Sequence, residues 1–463
     1  MGKLASAIIL VFLSVTPATP AWAAAPAAVC VNSDGSGGCY SSIQAAIDAA
    51  PAGATISVAP GTYAGAKGAN QVALIQKTIS LQGTDPISTV IDASGLNQGI
   101  VIENADGVTV SGFTIQNAWL EGILLDGASH ATVAHSVLRN NDSNPNFVPG
   151  DPQRAKCPGA FPFDQDDCGE ALHLRGTSFS TVDSNTVEGN IGGILLTDET
   201  GPTHDNIITG NTVRNNKRDC GITLASHPAG FGPDHKPLPG HGIYANRVEK
   251  NTVKGNGSAG VGIFTPTPGT AAHDNIVTGN TLIDNGLPGV ALHSHAPGQN
   301  LNGNTITANV ISGNGSDDDA GTPASGIVIF SVASHHAAPI TGTTVSGNTI
   351  DKENLPLYLA LNSGTTIAGT LANDTGGAVE NYSIIGDGSS YTFTATFTGL
   401  DPTAVAGVTV YGSNGFPRGR AGLAGGTATF SLATETGATY DVQLNSYQPH
   451  SQASYILTVT AGS

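Results

Sequence analysis

Short apolar segments bounded by asparagine and glycine recur through residues 182–354. The segments SNTVEGN, GNTVRNN, KNTVKGN, GNTLIDN and ANVISGN each place two asparagines five residues apart, and most are followed by alternating apolar strands such as GGILLTDE and PGVALHSH. This alternation indicates strands with one buried face. The connections are too short and too polar for crossover helices, so the returning strands must stack in parallel. The pattern therefore predicts a parallel β-helix.

The repeated asparagines are interpreted as structural residues. Asparagine tolerates left-handed backbone at the corners of the coils, and its side chain hydrogen-bonds backbone groups there. Stacked from coil to coil, they are expected to form an internal ladder and to take no part in chemistry. The pairs are Asn185/Asn190, Asn211/Asn216, Asn251/Asn256, Asn280/Asn285 and Asn309/Asn314.

The pattern changes at both ends of the repeat. Apolar residues fall on one face of a predicted helix at 41–50, which we expect to cap the open end of the core. From about residue 363 the asparagine repeat stops, and segments such as YTFTATFTGL, GVTVYGS and SYILTVTA predict a small antiparallel β-sandwich. We predict an all-β chain with a β-helix over 24–362 and an accessory β-sandwich domain over 363–463.

Residues 1–23 have the pattern of a Sec-type signal peptide, with Lys3, a short apolar run and a small-residue cleavage pattern at Ala21–Ala23. The apolar run is too short to span a bilayer. We therefore predict a secreted or periplasmic protein with no membrane insertion.

Five cysteines in an exported chain predict disulfides. Cys30 and Cys39 bracket a short glycine-rich loop, and Cys157 and Cys168 bracket an irregular insertion, so we predict these two pairs. Cys220 is left over, and strand parity turns it inward, so we interpret it as a buried thiol.

The formal net charge of the chain is −18. Such an acidic surface argues against nucleic acid and anionic membranes as partners. It also disfavours a polyanionic substrate, unless calcium bridges the two. No oligomeric state is predicted.

The run DGSG…SSIQAAIDAAP…GTY within residues 29–63 resembles the opening of the pectin-lyase-like right-handed β-helix superfamily, and it is especially similar to pectin methylesterases. The later coils resemble the generic right-handed β-helix repeat family, which includes the periplasmic copper-binding β-helix protein of nitrous oxide reductase maturation. The resemblance covers roughly residues 29–360. It implies a right-handed single-stranded β-helix and polysaccharide as the substrate class.

The chain also departs from these relatives. It has GTYAG where the methylesterases have GxYxE, and it has no QDT-type or DFIFG-type carboxylate motif. The DPHD-type motif of alginate epimerases is absent as well. Pectin methylesterase activity is therefore disfavoured.

A candidate site emerges when the strands are aligned by their buried pairs. These pairs are Ile123/Leu125, Leu172/Leu174, Ile194/Leu196, Ile222/Leu224, Val261/Ile263, Val290/Leu292 and Ile327/Ile329. Residues between and just beyond them face outward, and ionisable and aromatic side chains gather on one outward strip. The candidate catalytic residues are Arg175, Asp198, Glu199 and His227, and the candidate substrate-binding residues are Asp126, His173, His293, His295, Phe264 and Phe330. We expect them to be exposed and dispensable for folding.

Loops adjoin this strip. The irregular insertions 143–169 and 228–242 are expected to wall a groove. A strip of polar residues on a solvated strand face needs no function, so the prediction depends on the convergence of loops with ionisable groups. A third loop holds Asp317, Asp318 and Asp319. A solvated loop is the simpler interpretation there, and calcium binding is the alternative. No other cofactor and no metal site is predicted.

Two functional classes remain open. The first is a glycoside hydrolase or polysaccharide lyase acting on an extracellular polysaccharide. Elimination needs a base and a cation that neutralises a uronate carboxylate, and His227 and Arg175 suit these roles. Hydrolysis needs two carboxylates, for which Asp126, Glu170, Asp198 and Glu199 are candidates.

The second class is a non-catalytic protein that binds carbohydrate or a metal. In this alternative His227, His241, His293 and His295 ligate copper or zinc.

Overall fold

The computed structural model describes residues 29–141, 170–332, 335–338, 340–360, 365–372, 378–400, 403–412, 414–446 and 452–461. The predicted signal peptide, the whole 143–169 insertion and with it the predicted Cys157–Cys168 pair lie outside these residues.

The chain opens with a short strand, a 3₁₀ turn at Ser36–Gly38 and a helix, before the first coils form. These elements are β1 (Val29–Val31), α1 (Ile43–Ala49), β2 (Thr55–Val58), β3 (Gly61–Ala64), β4 (Gln71–Ile75), β5 (Ser80–Gly83), β6 (Thr89–Asp92), β7 (Gln98–Glu103), β8 (Thr109–Ser111), β9 (Thr114–Gln116), β10 (Ile123–Asp126), β11 (Thr132–Ala134) and β12 (Val137–Arg139).

The middle of the chain repeats short strands at almost constant spacing. They are β13 (Glu170–Arg175), β14 (Thr181–Asp183), β15 (Thr186–Glu188), β16 (Gly192–Thr197), β17 (Thr203–His204), β18 (Ile207–Thr209), β19 (Thr212–Arg214), β20 (Ile222–Ala225), β21 (Ile243–Tyr244), β22 (Arg247–Glu249), β23 (Thr252–Lys254), β24 (Val261–Thr265), β25 (Ala272–His273), β26 (Ile276–Thr278), β27 (Thr281–Ile283), β28 (Val290–Ser294), β29 (Thr305–Thr307), β30 (Val310–Ser312), β31 (Ser325–Ser331), β32 (Thr344–Ser346), β33 (Thr349–Asp351) and β34 (Leu355–Ala360).

The last strands are longer. They are β35 (Thr365–Ala372), β36 (Ala378–Ile385), β37 (Ser390–Thr398), β38 (Ala406–Gly412), β39 (Pro417–Gly422), β40 (Thr427–Ala433), β41 (Thr439–Ser446) and β42 (Gln452–Ala461).

Parallel strands of successive coils stack into three long sheets. Sheet 1 follows the order β1-β2-β5-β8-β11-β14-β18-β22-β26-β29-β32, sheet 2 follows β4-β7-β10-β13-β16-β20-β24-β28-β31-β34, and sheet 3 follows β3-β6-β9-β12-β15-β19-β23-β27-β30-β33. A short fourth sheet, β17-β21-β25, joins the coils that carry it. One apolar core runs through the tube, so the predicted parallel β-helix is confirmed.

Three buried asparagine ladders run along the tube. In the first, the Nδ2 of each asparagine donates to the Oδ1 of the next over 2.9–3.1 Å, through Asn185, Asn211, Asn251, Asn280, Asn309 and Asn348. The second runs through Asn141, Asn190, Asn216, Asn256, Asn285 and Asn314, and it ends on the carboxylate of Glu353, where the repeat loses its asparagine spacing. The predicted internal ladder is confirmed.

Sequence analysis missed the third ladder. It runs through Asn206, Asn246, Asn275 and Asn304. Each of these residues lies five positions before a member of the first ladder, so the spacing that marks the other two ladders was also present here.

Helix α1 occupies the segment that was predicted to be helical. Ser42 caps its N-terminus by accepting a hydrogen bond from the backbone N–H of Ala45, at 3.2 Å. The side chain of Gln44 exchanges two hydrogen bonds with the backbone of Leu74, in the outermost strand of sheet 2. The predicted role of the helix, to cap the open end of the core, stays a prediction. Within the described residues, no helix has the length and apolarity that crossing a bilayer requires.

The C-terminal strands continue two sheets of the β-helix. Strand β35 pairs in parallel with β32 and antiparallel with β42, while β36 pairs in parallel with β34 and antiparallel with β41. Tyr382 of β36 and Tyr455 of β42 meet with ring centroids 6.4 Å apart, which joins the two antiparallel layers. The predicted sandwich is therefore built on the end of the tube. The domain boundary at 362/363 stays a prediction.

The predicted Cys30–Cys39 pair and the burial of Cys220 are confirmed, but the predicted inward orientation of Cys220 is wrong, because it packs with Ala259 and Ala291 in a small cluster separate from the core of the tube. Cys30 and Cys39 form a disulfide. Cys220 is a buried free thiol, and burial raises the pKa of this thiol. A buried thiol of raised pKa is a poor nucleophile.

The ladder can be tested by the variant Asn251→Ala. This change leaves the amide of Asn211 and the carbonyl of Ile208 without their partners in a buried corner. We expect the free energy of unfolding to fall by about 2–4 kcal/mol. The neighbouring exposed residue provides a control, since Thr252→Ala should cost about 0.5 kcal/mol or less. Equal denaturation midpoints for the two variants would show that the ladder does not hold the coils.

The cysteine pairing predicts the result of thiol titration. We expect no reactive thiol in the native protein and one after denaturation without reductant, because the predicted pairs leave only Cys220 free. The variant Cys220→Ala should remove that single signal. Three free thiols in the denatured protein would contradict the Cys157–Cys168 pair.

Candidate functional site

The strands of sheet 2 stack in the register that the sequence predicted. Ile123 pairs with Leu172, and the pairing continues from Leu172 to Ile194, Ile222, Val261, Val290 and Ile327. The outward positions therefore stack in columns as expected. Asp126 pairs with Arg175 and Arg175 with Thr197, and further along the same column Phe264, His293 and Phe330 are paired in turn.

The expectation that the site residues are exposed is wrong for four of them. The exposed fractions are 0% for Asp198, 2% for His227, 4% for His173 and 7% for His293. The side chains of Asp126, Arg175, Glu199 and His295 are partly exposed, as are Phe264 and Phe330. Strand parity gives the direction of a side chain, but the loops that fold over the sheet decide its exposure.

Asp198 shows how a loop buries an outward residue. Its carboxylate accepts hydrogen bonds from the backbone N–H of His227 at 2.7 Å, the backbone N–H of Gly242 at 2.5 Å and the hydroxyl of Ser226 at 2.9 Å. The 228–242 loop passes so close that a Cβ on Gly240 would lie 2.7 Å from Oδ2 of Asp198. Asp198 therefore ties both ends of this loop to the tube.

Burial raises the pKa of Asp198 to about 6, although its three hydrogen-bond donors favour the charged form. The carboxylate of Asp198 is buried, and its three hydrogen bonds hold the 228–242 loop in place. Its predicted catalytic role is untested, and the geometry gives it a structural role.

Glu199 and His227 form a carboxylate–imidazole pair. The Oε1 of Glu199 lies 2.6 Å from Nδ1 of His227. Burial alone would raise the pKa of Glu199, but the hydrogen bond and the charge of His227 outweigh it and hold the pKa at about 2. Glu199 is therefore ionised at neutral pH, and it orients the imidazole beside it.

Arg175 and Asp126 form a second pair on the neighbouring coils. The guanidinium donates to Asp126 through Nε at 3.2 Å and through Nη2 at 2.7 Å. Thr200 also donates to Asp126, at 2.8 Å. Burial would lower the pKa of Arg175, but the charges of Asp126, Glu199 and Glu121 raise it. The guanidinium therefore lies within the electrostatic field of the Glu199–His227 pair.

Sequence analysis missed Glu121. Its carboxylate accepts a hydrogen bond from Gln98 at 2.9 Å, and Oε1 lies 3.6 Å from Nδ1 of His173. The other ring nitrogen of His173 lies 2.8 Å from the hydroxyl of Thr197. Burial would raise the pKa of Glu121, yet His173 lowers it. The strand register could have revealed Glu121. It lies two residues before Ile123, as Glu170 lies two residues before Leu172, so the two glutamates occupy matching positions on adjacent coils.

A second cluster lies further along the sheet. His293 contacts Asp317 at 2.8 Å and Asp319 at 3.7 Å, and His295 contacts Asp319 at 3.3 Å. Phe330 lies beside His293 with ring centroids 6.1 Å apart. Asp317 is buried, so the interpretation of this loop as wholly solvated is wrong. Its backbone pairs with Thr322, which closes the loop and turns the carboxylate toward His293.

Two family models match the chain. The model for the right-handed beta helix region matches residues 96–231, and the model for the periplasmic copper-binding protein NosD matches residues 164–320. Over the matched residues the chain is similar to right-handed beta helix proteins, in agreement with the parallel β-helix that its three sheets form. No curated protein gives a significant match to this β-helix.

Solved structures similar to this β-helix include an epimerase, a lyase and a bacteriophage tailspike. The A-module of a mannuronan C-5 epimerase from Azotobacter vinelandii is 15% identical, with a TM-score of 0.40 over 71% of this chain and 95% of that one. An alginate lyase from a Paenibacillus species is 15% identical, with a TM-score of 0.42 over 68% and 94% of the two chains. A tailspike from the Acinetobacter baumannii bacteriophage Fri1, a capsular polysaccharide depolymerase, is 11% identical, with a TM-score of 0.38 over 94% and 86%.

The different roles of Asp198 and Glu199 can be separated by their effects on stability. We expect Asp198→Ala to lower the free energy of unfolding by about 2–4 kcal/mol, because three buried donors lose their acceptor. Glu199→Gln removes the charge but keeps the shape of the side chain and an oxygen beside His227, so it should cost less than Asp198→Ala. Thermal denaturation of both variants provides the comparison. A stable Asp198→Ala protein would show that the 228–242 loop is held by other contacts.

Proposed function

We propose that this β-helix is an exported polysaccharide lyase that binds an acidic extracellular polysaccharide along the outer face of sheet 2. The observation that carries the proposal is the 2.6 Å contact between Glu199 and His227, which follow the next two strands of sheet 2 after the strand of Arg175. Adjacent strands are about 4.8 Å apart, so the three groups lie within about 10 Å along the tube, on one stretch of the groove.

The chemistry is a β-elimination. The Glu199–His227 pair removes the proton alpha to a uronate carboxylate. The electron pair that is released forms a carbon–carbon double bond as the bond to the glycosidic oxygen breaks, and the proton returns to that oxygen. An imidazole oriented by a carboxylate is a common form of general base.

Arg175 supplies the positive charge that this reaction needs. The proton becomes acidic only when the adjacent carboxylate is neutralised. Among the described residues, Asp126 engages Nε and Nη2 of the guanidinium. We assign Nη1 and the second N–H of Nη2 to the substrate carboxylate, since guanidinium groups bind carboxylates through paired donors.

Hydrolysis receives less support from the same geometry. A glycoside hydrolase needs two carboxylates that both face the glycosidic bond. The carboxylate of Asp198 already accepts three hydrogen bonds from the protein, and Asp126 is held by Arg175 and Thr200. The net charge of −18 favours a neutral polysaccharide, but it describes the whole chain rather than the groups around Arg175.

Aromatic side chains extend the same face. Phe264 and Phe330 are the register partners of His293 on either side, so all three lie in one column of sheet 2. Both rings are partly exposed, and aromatic faces bind sugars by stacking. The described 228–242 loop stands beside this face. We propose that it forms one wall of the groove.

Export is part of the proposal. The predicted signal peptide over 1–23 supports it, and so does the Cys30–Cys39 disulfide, because such bonds persist in oxidising compartments. We place the protein in the periplasm or outside the cell.

A substrate screen tests the activity. The mature protein is incubated with a panel of uronate-containing and neutral polysaccharides, and both the ultraviolet absorbance of unsaturated uronate and the number of reducing ends are followed. We expect both signals on a uronate polymer, with losses of about 10²-fold or more for Glu199→Gln and for His227→Ala.

A glutamate outside the groove provides the matched control. Glu188 pairs with Arg214 in sheet 3, at 2.7 Å, so Glu188→Gln removes a comparable charge and should keep full activity. Reducing ends without unsaturated uronate would identify a hydrolase. Binding without cleavage would identify a carbohydrate-binding protein. Full activity in Glu199→Gln would show that the active site lies elsewhere.

A further inference from the structure

The loop between β30 and β31 brings one carboxylate to two imidazoles at the end of β28. One ligand atom from each of His293, His295 and Asp319 lies within 4.8 Å of the others. Oδ2 of Asp319 is 3.3 Å from Nε2 of His295 and 3.7 Å from Nδ1 of His293. Two ligands that each lie about 2.0–2.1 Å from a tetrahedral ion are separated by roughly 3.3 Å. The cluster is therefore close to the size that one ion requires.

We propose that His293, His295 and Asp319 bind a divalent transition-metal ion on the outer face of sheet 2. Two nitrogens and one carboxylate oxygen suit zinc and its neighbours in the first transition row. Calcium, the cation considered from the sequence alone, takes about 6–8 oxygen ligands, and this donor set does not suit it.

Asp317 supports this assignment from behind the cluster. Its Oδ2 lies 2.8 Å from Nε2 of His293, while Nδ1 of the same ring faces Asp319. Histidines that bind metals usually have a carboxylate at the other ring nitrogen, which fixes the ring and its tautomer. Asp317 and His293 are both buried, as such a supporting pair requires.

The backbone around the ligands is held by hydrogen bonds from the protein itself. The buried Gln299 accepts hydrogen bonds from the backbone N–H groups of His295 and Ala296, at 2.7 and 2.8 Å, and donates to the carbonyl of Thr267 at 3.0 Å. Asp317 is anchored in its loop by a bond from the backbone N–H of Ala320, at 3.1 Å. Such preorganisation lowers the cost of assembling a site.

The other histidines considered for a metal from the sequence have different partners. His227 is bonded to Glu199, and Nδ1 of His241 lies 2.8 Å from the backbone oxygen of Asp198. The structure therefore brings together two of the four histidines and adds Asp319, which sequence analysis had assigned only to a calcium alternative.

The test is metal binding by the mature protein, measured without polysaccharide and so independent of the proposed lyase activity. After treatment with a chelator, Zn²⁺ and Ca²⁺ are titrated calorimetrically, and Co²⁺ binding is followed by visible absorbance. We expect saturable binding of one Zn²⁺ per chain and a Co²⁺ spectrum with imidazole ligation, with Ca²⁺ at least 100-fold weaker. His295→Ala, at a partly exposed position, and Asp319→Asn, at an exposed one, should each weaken Zn²⁺ binding at least 10-fold.

A surface pair provides matched controls. Nδ1 of His273 lies 2.7 Å from Asp274, a contact of the same chemistry without a second imidazole, so His273→Ala and Asp274→Asn should leave Zn²⁺ affinity unchanged. Circular dichroism confirms that each variant is folded. The proposal is overturned if the parent protein shows no 1:1 binding, if His295→Ala and Asp319→Asn bind like the parent, or if the His273 and Asp274 variants lose as much affinity.

Discussion

The hydrogen bonds between buried asparagine amides are the interaction on which the rest of this structure depends. Sheets satisfy the backbone along the flat faces of the tube, but the polar groups at its corners lie inside and out of reach of water. Asn251 illustrates the solution, since it accepts from the backbone and side chain of Asn211 and donates to Ile208 and Asn280. Because an unpaired buried polar group costs about 1–3 kcal/mol, each ladder holds neighbouring coils in one register.

A fixed register is what turns a repetitive fold into a chemical surface. Side chains at matching positions of sheet 2 lie one strand apart, so residues distant in sequence meet without any tertiary rearrangement. Asp126 and Arg175 are 49 positions apart and form an ion pair because β10 and β13 are adjacent. Both candidate sites lie where the coil departs from its regular length, at the 228–242 loop and at the loop before β31. The stacked strands of the tube set the distances between side chains, and the irregular loops complete the two candidate sites.

The periodic stacking of the strands could be predicted from the sequence, but the paths of the irregular loops could not. Seven buried pairs predicted the stacking of sheet 2, and the closeness of Glu199 to His227 followed from it. Exposure did not follow, because the 228–242 loop has no period from which its path could be predicted. Asp198 was thus expected on an open surface, although it holds that loop from beneath. Glu121 was missed for a related reason. It precedes β10, so it lies outside the alternating strand positions from which the candidate site was predicted.

Charge links the two clusters of sheet 2. An acidic chain repels a polyuronate, and among the four candidate catalytic residues Arg175 is the only permanent cation, already paired with Asp126. The proposed ion would add two positive charges in the same column, about four strand spacings, or roughly 19 Å, from Arg175. A chain of several sugar residues spans that distance. An acidic polymer held at one end by the metal and at the other by Arg175 would then lie across Phe264, which makes the metal a condition for affinity rather than for proton transfer.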